Sequence, residues 1–213
     1  MSNDRSTGNA EAGTGTIPVV TIWEQYGAGA EQIGRGVAEA MGLPFHEQAF
    51  SSDDLESPES SLENQAVLST VLAVMGGAYG GFGGREVVAT QREKRELIAV
   101  NNANVRRFAE EGGVIIGRNA TVLLAQRPRT LHVLLTGDVD DRVDRAARDH
   151  GIPLDRARKR QQREDDVRAA MSRVLYGWDP HDPSRYDLVV NTSRIPAGAA
   201  VAAIVNAIGS VAP

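Results

Sequence analysis

Gly27-Ala28-Gly29-Ala30 directly follow the β-branched run IPVVTIW (Ile17 to Trp23) and directly precede a helical pattern. Glycines there let the backbone turn tightly and approach a ligand. Successive N–H groups face one concavity, and the start of the following helix favours an anion. Phosphate suits such a bend; a plain strand-to-helix turn suits it equally. Laying the pattern G-x-x-x-x-G-K-[ST] on Gly29 puts Glu24 at the first glycine, Ala30 at the lysine and Glu31 at the hydroxyl. The ammonium and the Mg²⁺-binding hydroxyl of that pattern are therefore both missing. Two carboxylates beside a polyphosphate are unfavourable unless a metal or an arginine intervenes.

Gly117-Arg118-Asn119 follows a second apolar run, Gly113 to Ile116. Ligands of open parallel sheets lie beyond the carboxyl ends of the strands, where an arginine can clamp a phosphate with two parallel hydrogen bonds. The alternative for Arg118 is a surface ion pair. Arg156, Arg158, Arg160, Arg163, Asp165, Asp166, Arg168 and Arg173 form a third, dense group. It reads either as a phosphate-neutralising segment or as a solvated helix laced with ion pairs. Gly76 to Gly84 (GGAYGGFGG) holds six glycines and reads as a mobile loop in which Tyr79 and Phe82 are placed to stack on a base, or as a plain connection. His46-Glu47 offers a carboxylate for an acceptor or a metal, and equally a solvent-facing one. Trp178 with Tyr176 reads as a structural anchor.

Strands and helices in alternation must position these residues. Core strands are expected at Ile17–Trp23, Gly113–Ile116, Thr130–Thr136 and Tyr186–Asn191, with a short one within Pro44–Phe50. Helices are expected from about Ala30 to Met41, at Ala66–Met75, Arg85–Glu111, Thr121–Ala125, Asp138–His150, Leu154–Leu175 and Pro196–Ile208. This alternation predicts an α/β fold with a parallel sheet covered on both faces. Residues 1–16, poor in large apolar side chains, read as a disordered tail.

Length and composition set the outer limits. The 213 residues suit one domain, about 17–208, followed by a short tail over 209–213. A net charge of −5 gives no support for nucleic-acid binding through bulk charge. No apolar run is long enough to span a bilayer, and the N-terminal stretch has no apolar h-region, so no membrane or secretory role is expected. The chain has no cysteine, which excludes disulfides and thiol catalysis and suits a cytoplasmic setting. Four histidines, none at metal-ligand spacing, argue against a histidine-based metal site.

Taken in order, three stretches resemble the cytidylate kinase-like proteins, relatives of the nucleoside monophosphate kinases among the P-loop kinases. They are IPVVTIWEQYGAGAEQIGRGVAEAMGLPF, GGVIIGRNATVLLAQRPRTLHVLLTGDVDDRVDRAA and REDDVRAAMSRVLYGWDPHDPSRYDLVVNTSRI. The family's first loop reads like E-Y-G-S-G-G-R-E-I; here Gln25 to Ile33 occupies those places, with Ala30 for a glycine and Glu31 for a residue that is often basic. GRNATVLL is similar to the family's GRD-x-G-T segment, with Asn119 in place of its aspartate. The resemblance implies a three-layer α/β/α P-loop kinase fold with a helical lid at about 152–178. It implies transfer of the ATP γ-phosphoryl group to CMP, dCMP or a similar small acceptor, with Mg²⁺. Gly27, Ala28, Gly29, Ala30, Glu31 and Gln32 would cradle the donor phosphates. Arg118, with Asn119 and Glu47, would hold the acceptor, while Arg163, Arg168 and Asp165 of the lid would act on the transferring group. The metal ligands stay unassigned, with Glu31 and Glu47 as candidates. The missing lysine leaves a second reading open: a catalytically degenerate nucleotide-binding protein that acts through a partner.

Overall fold

Runs of Val, Ile and Leu bounded by Gly or Pro become strands in the computed structural model, which describes residues 16–49 and 87–211, with side chains from 95 onward in the second stretch. The tail read over residues 1–16, but for its last residue, the helix at Ala66–Met75 and the glycine loop with Tyr79 and Phe82 lie outside the described residues. The described elements are β1 (Val19–Glu24), α1 (Ala30–Met41), β2 (Phe45–His46), α2 (Val87–Glu111), β3 (Gly113–Ile116), α3 (Ala120–Leu123), β4 (Thr130–Thr136), α4 (Val139–His150), α5 (Leu154–Tyr176), a 3₁₀ turn (Pro183–Arg185), β5 (Leu188–Asn191) and α6 (Ala197–Ser210).

The five strands form one parallel sheet in the order β2-β3-β1-β4-β5. Side chains alternate along β1 as the pleat requires. Val20 and Ile22 face a core with Ile33 and Val37 of α1 and Ala200 and Ile204 of α6. Val19 faces the opposite layer, with Ile115 of β3 and Val105 and Ala109 of α2. These two layers of helices cover both faces of one sheet, as expected from the alternation, and make the three-layer α/β/α arrangement that the resemblance implies. Trp23, Leu134, Trp178 and Tyr186 form a third apolar group on the α2 side of the sheet.

Some element ends shift for identifiable reasons. β5 begins at Leu188 rather than Tyr186, because Tyr186 turns its ring towards Trp178 and donates its hydroxyl to the Pro180 carbonyl at 2.8 Å. β1 starts two residues later than the apolar run, because Ile17 and Pro18 precede the register set by Val19 opposite Gly113 and Thr130. α6 runs on to Ser210, into the stretch read as a tail. At the amino rim, the Arg127 guanidinium joins three segments, donating to the carbonyls of Ile17 and Ala109, each at 2.7 Å, and to the Thr130 hydroxyl at 3.2 Å.

Candidate functional site

Because all strands run the same way, the segments after β1 and β3, neighbours at the centre of the sheet, emerge side by side at its carboxyl rim. They are the Gly27–Ala30 bend and the Gly117–Asn119 turn.

The bend is built from both its glycines. Gly27 and Gly29 hold φ values of +79° and +89°, a region that favours glycine. A Cβ on Gly27 would collide with the Arg142 carbonyl oxygen. α1 then starts at Ala30, and its first turn presents N–H groups for which the helix itself supplies no acceptor. One of them is already engaged by an anion from the chain. Glu24 Oε2 accepts from the Ala30 amide at 3.0 Å. The other oxygen of Glu24 accepts from Arg168 at 3.1 Å, both side chains being 13% exposed. Arg168 also donates to Glu164 at 3.0 and 3.2 Å. Burial works against the Arg168 charge, but the Glu24 and Glu164 carboxylates outweigh it and hold the guanidinium above its ordinary pKa. Glu164 is fully buried, and its Oε1 finds no partner among the described residues.

A second carboxylate grips the same bend. Asp165 Oδ1 accepts from the Tyr26 amide at 2.7 Å, while its Oδ2 accepts from Arg142 at 2.9 Å and from Gln161 at 2.8 Å. Arg142 also donates to the Tyr26 carbonyl at 2.9 Å, and Arg145 to the Gly27 carbonyl at 2.7 Å. Two guanidiniums of α4 and two carboxylates, one from β1 and one from α5, thus hold the bend from both sides. The Tyr26 ring is 3% exposed, with the Arg168 guanidinium 5.7 Å from its centre.

A second group gathers around β2 and β3. Arg118 Nε donates to the Glu47 carbonyl at 2.9 Å, and its guanidinium lies 5.4 Å from the centre of the Phe108 ring. Burial, with Arg107 nearby, lowers the Arg118 pKa. Asn119 is buried and accepts from Trp178 Nε1 at 2.9 Å. Trp178 is therefore a structural anchor, as its sequence context suggests. Arg35 bridges the side chains of Glu31 and Glu47.

The structure thus brings Gly27, Ala28, Gly29, Ala30, Asp165 and Arg168 together at one bend. It places Arg118, Asn119 and Glu47 at the adjoining turn and links Glu31 to Glu47 through Arg35. Gln32 lies exposed in the first turn of α1, and Arg163 on the exposed face of α5. Sequence reasoning missed Glu24 as an occupant of the bend, and missed Arg142, Arg145 and Arg35 altogether. The available signal was the spacing Arg142, Val143, Ala146 in α4, which puts Arg142 on the buried stripe of that helix.

Two observations fit a polyphosphate here. An N–H group of the bend already receives an anionic oxygen, and a guanidinium already lies on that same anion. The Glu24 carboxylate has to yield for a phosphate to take its place. For Mg²⁺ the fit is poorer: no group of three or more His, Asp or Glu that could hold a metal occurs among the described residues. The two candidate carboxylates, Glu31 and Glu47, are shared by Arg35. No helix among the described residues is long and apolar enough to cross a membrane.

The sequence model of the cytidylate kinase-like family matches residues 19–194. A stretch of 98 residues is 38% identical to a cytidylate kinase of Methanopyrus kandleri, covering 42% of this chain and 51% of that one. Another match, 32% identical over 95 residues, is to a uronate isomerase of Corynebacterium glutamicum, covering 45% of this chain and 18% of that one. The chain therefore spans about half of one curated relative and less than a fifth of the other. Among solved structures, an uncharacterized protein from Eubacterium ventriosum is similar with a TM-score of 0.60 and 18% identity, over 92% of this chain and 99% of that one. At that identity the likeness concerns the fold alone.

Proposed function

The chain belongs to the cytidylate kinase-like family, and on that premise we propose that it transfers the γ-phosphoryl group of ATP to CMP, dCMP or a similar small acceptor. An oxygen of the acceptor phosphate forms the new bond to Pγ as the bond from Pγ to the β,γ-bridging oxygen breaks, releasing ADP. Such transfer depends on positioning and charge neutralisation more than on covalent help from the protein. The N–H groups from Gly27 to Gln32 hold the donor phosphates. Arg118 holds the acceptor phosphate, with Asn119 setting the turn and Glu47 beside it. Arg168 leaves Glu24 for the transferring group, joined by Arg163, while Asp165 keeps the bend in shape through the Tyr26 amide. No residue is assigned to Mg²⁺, which would come bound to ATP and add charge neutralisation. A cytoplasmic setting fits a chain with no cysteine.

The observation that carries this reading is the Glu24 carboxylate on the Ala30 amide with Arg168 behind it. It supports a bend that takes anionic oxygen without a lysine. The test is a coupled assay with ATP, Mg²⁺ and a panel of monophosphates and other small acceptors. Formation of ADP that depends on one acceptor supports the reading. Absence of turnover with every acceptor refutes it.

One observation favours a second reading, a nucleotide-binding protein that has lost turnover and acts through a partner. The lysine and hydroxyl positions hold Ala30 and Glu31, and the chain's own carboxylate occupies the bend. Measurable ATP binding without turnover distinguishes this reading from the first.

A further inference from the structure

The turn that carries Arg118 has an uncommon backbone and is firmly braced. Gly117, Arg118 and Asn119 hold successive φ values of +63°, +55° and +55°, a conformation that residues with a Cβ seldom adopt. Such conformers persist where surrounding contacts over-determine them, and they concentrate at functional sites. The braces come from two helices distant in sequence. Asn101 of α2 donates one amide hydrogen to the Arg118 carbonyl and the other to the Tyr176 hydroxyl, both at 2.7 Å. That hydroxyl in turn donates to Asn102 Oδ1 at 3.1 Å. The Asn101 amide therefore spends both its hydrogens, and the tyrosine spends its single one. Two residues on, Trp178 Nε1 fixes Asn119.

Tyr176 closes α5, the helix whose middle residues, Asp165 and Arg168, grip the donor-side bend. One rigid element therefore reaches both halves of the site.

We infer that Asn101 and Tyr176 are positioning residues for Arg118: their hydrogen-bonded relay holds the Gly117–Asn119 turn left-handed and ties its setting to the seat of α5 on the Gly27–Ala30 bend. The inference rests on Arg118 as the acceptor-phosphate ligand of the proposed reaction. Neither residue touches the reacting atoms; both act through the Arg118 backbone.

The test pairs a conformational readout with a kinetic one, on the full chain. A strong intraresidue NOE between HN and Hα marks a left-handed residue. In Asn101→Ala this signature weakens or vanishes at Arg118 and Asn119. The KM for CMP rises by about three- to tenfold, the range set by one neutral hydrogen bond, while the KM for ATP and kcat change little. Tyr176→Phe keeps the Asn101–Arg118 bond and gives a smaller change of the same sign; it carries the test alone should Asn101→Ala not fold. Retention of both NOEs in the variants overturns the inference, as does an unchanged acceptor KM in an enzyme active as wild type. If the wild type turns over no acceptor, the proposed function fails separately, and the NOEs still decide whether the relay sets the turn.

Discussion

Replacing Glu24 with glutamine tests whether the bend is an anion site held by its own chain. The amide oxygen of the new side chain can still accept from the Ala30 N–H, so the shape of the loop is kept while the charge is lost. A hydrogen bond to a charged group is worth about 1.5–3 kcal/mol and a neutral one about 0.5–1.5 kcal/mol. Releasing the Ala30 amide to an incoming phosphate therefore costs about 1–1.5 kcal/mol less in Glu24→Gln, which is about tenfold in affinity. Removal of the repulsion between carboxylate and phosphate acts in the same direction. The variant also loses the 3.1 Å ion pair to Arg168, which keeps Glu164 at 3.0 Å. Stability should accordingly fall by about 1–2 kcal/mol. Calorimetric titration of ATP and of inorganic tripolyphosphate into both proteins at one ionic strength measures the first effect; urea unfolding measures the second. Glu39→Gln, on the exposed side of α1, serves as the control with neither change. A Glu24→Gln variant that binds both ligands no more tightly than wild type refutes the reasoning, because the carboxylate would then not compete for the bend.

Arg118→Ala should raise the KM for the acceptor by about tenfold or more, since a charged hydrogen-bond donor to a phosphate is lost, and leave the KM for ATP near its original value; steady-state kinetics with each substrate varied checks this. Gly27→Ala should destabilise the fold by roughly 3 kcal/mol, because φ is +79° and the new Cβ meets the Arg142 carbonyl, a backbone atom that cannot move aside; thermal unfolding measures it. Burial lowers the pKa of His132, with Asp187 acting in the opposite direction. The unfolded chain therefore takes up this proton first, so the contribution of His132 to stability is intact above about pH 6.5 and declines as the pH drops, levelling off below the folded value. Urea midpoints of wild type and His132→Gln between pH 5 and 8 should show that part of the slope only in the wild type.

The sheet was legible because strand chemistry is local. Gly113–Ile116 ends where its apolar run ends, and Thr130–Thr136 adds one threonine at each end of the largely apolar stretch Leu131–Leu135, since a strand buried on both faces is mostly apolar. The two loops at the carboxyl rim were legible for a similar reason, as each follows such a run directly. How α5 docks was not. Its buried positions include Arg160, Gln161, Glu164 and Ser172, a polar stripe at helical spacing that no hydrophobic pattern reveals. Arg168 and Asp165 could be picked out by type and placement, but their partners at the bend lie about 140 residues earlier in the chain. The same limit hid Arg142: in a helix as charged as α4, a guanidinium that turns inward resembles those that face water until its partners are known.

Arg127 gives the molecule unequal ends. Its guanidinium fastens the amino rim through carbonyls and one hydroxyl, neutral acceptors with which no proton or solute anion exchanges. On the opposite rim, Glu24 and Asp165 fasten backbone amides through carboxylates, and in the proposed reaction a phosphate takes the place of the Glu24 one in kind. On the proposed reading, loosening by a ligand is thus confined to the rim that carries the Gly27–Ala30 bend, and the far rim stays riveted.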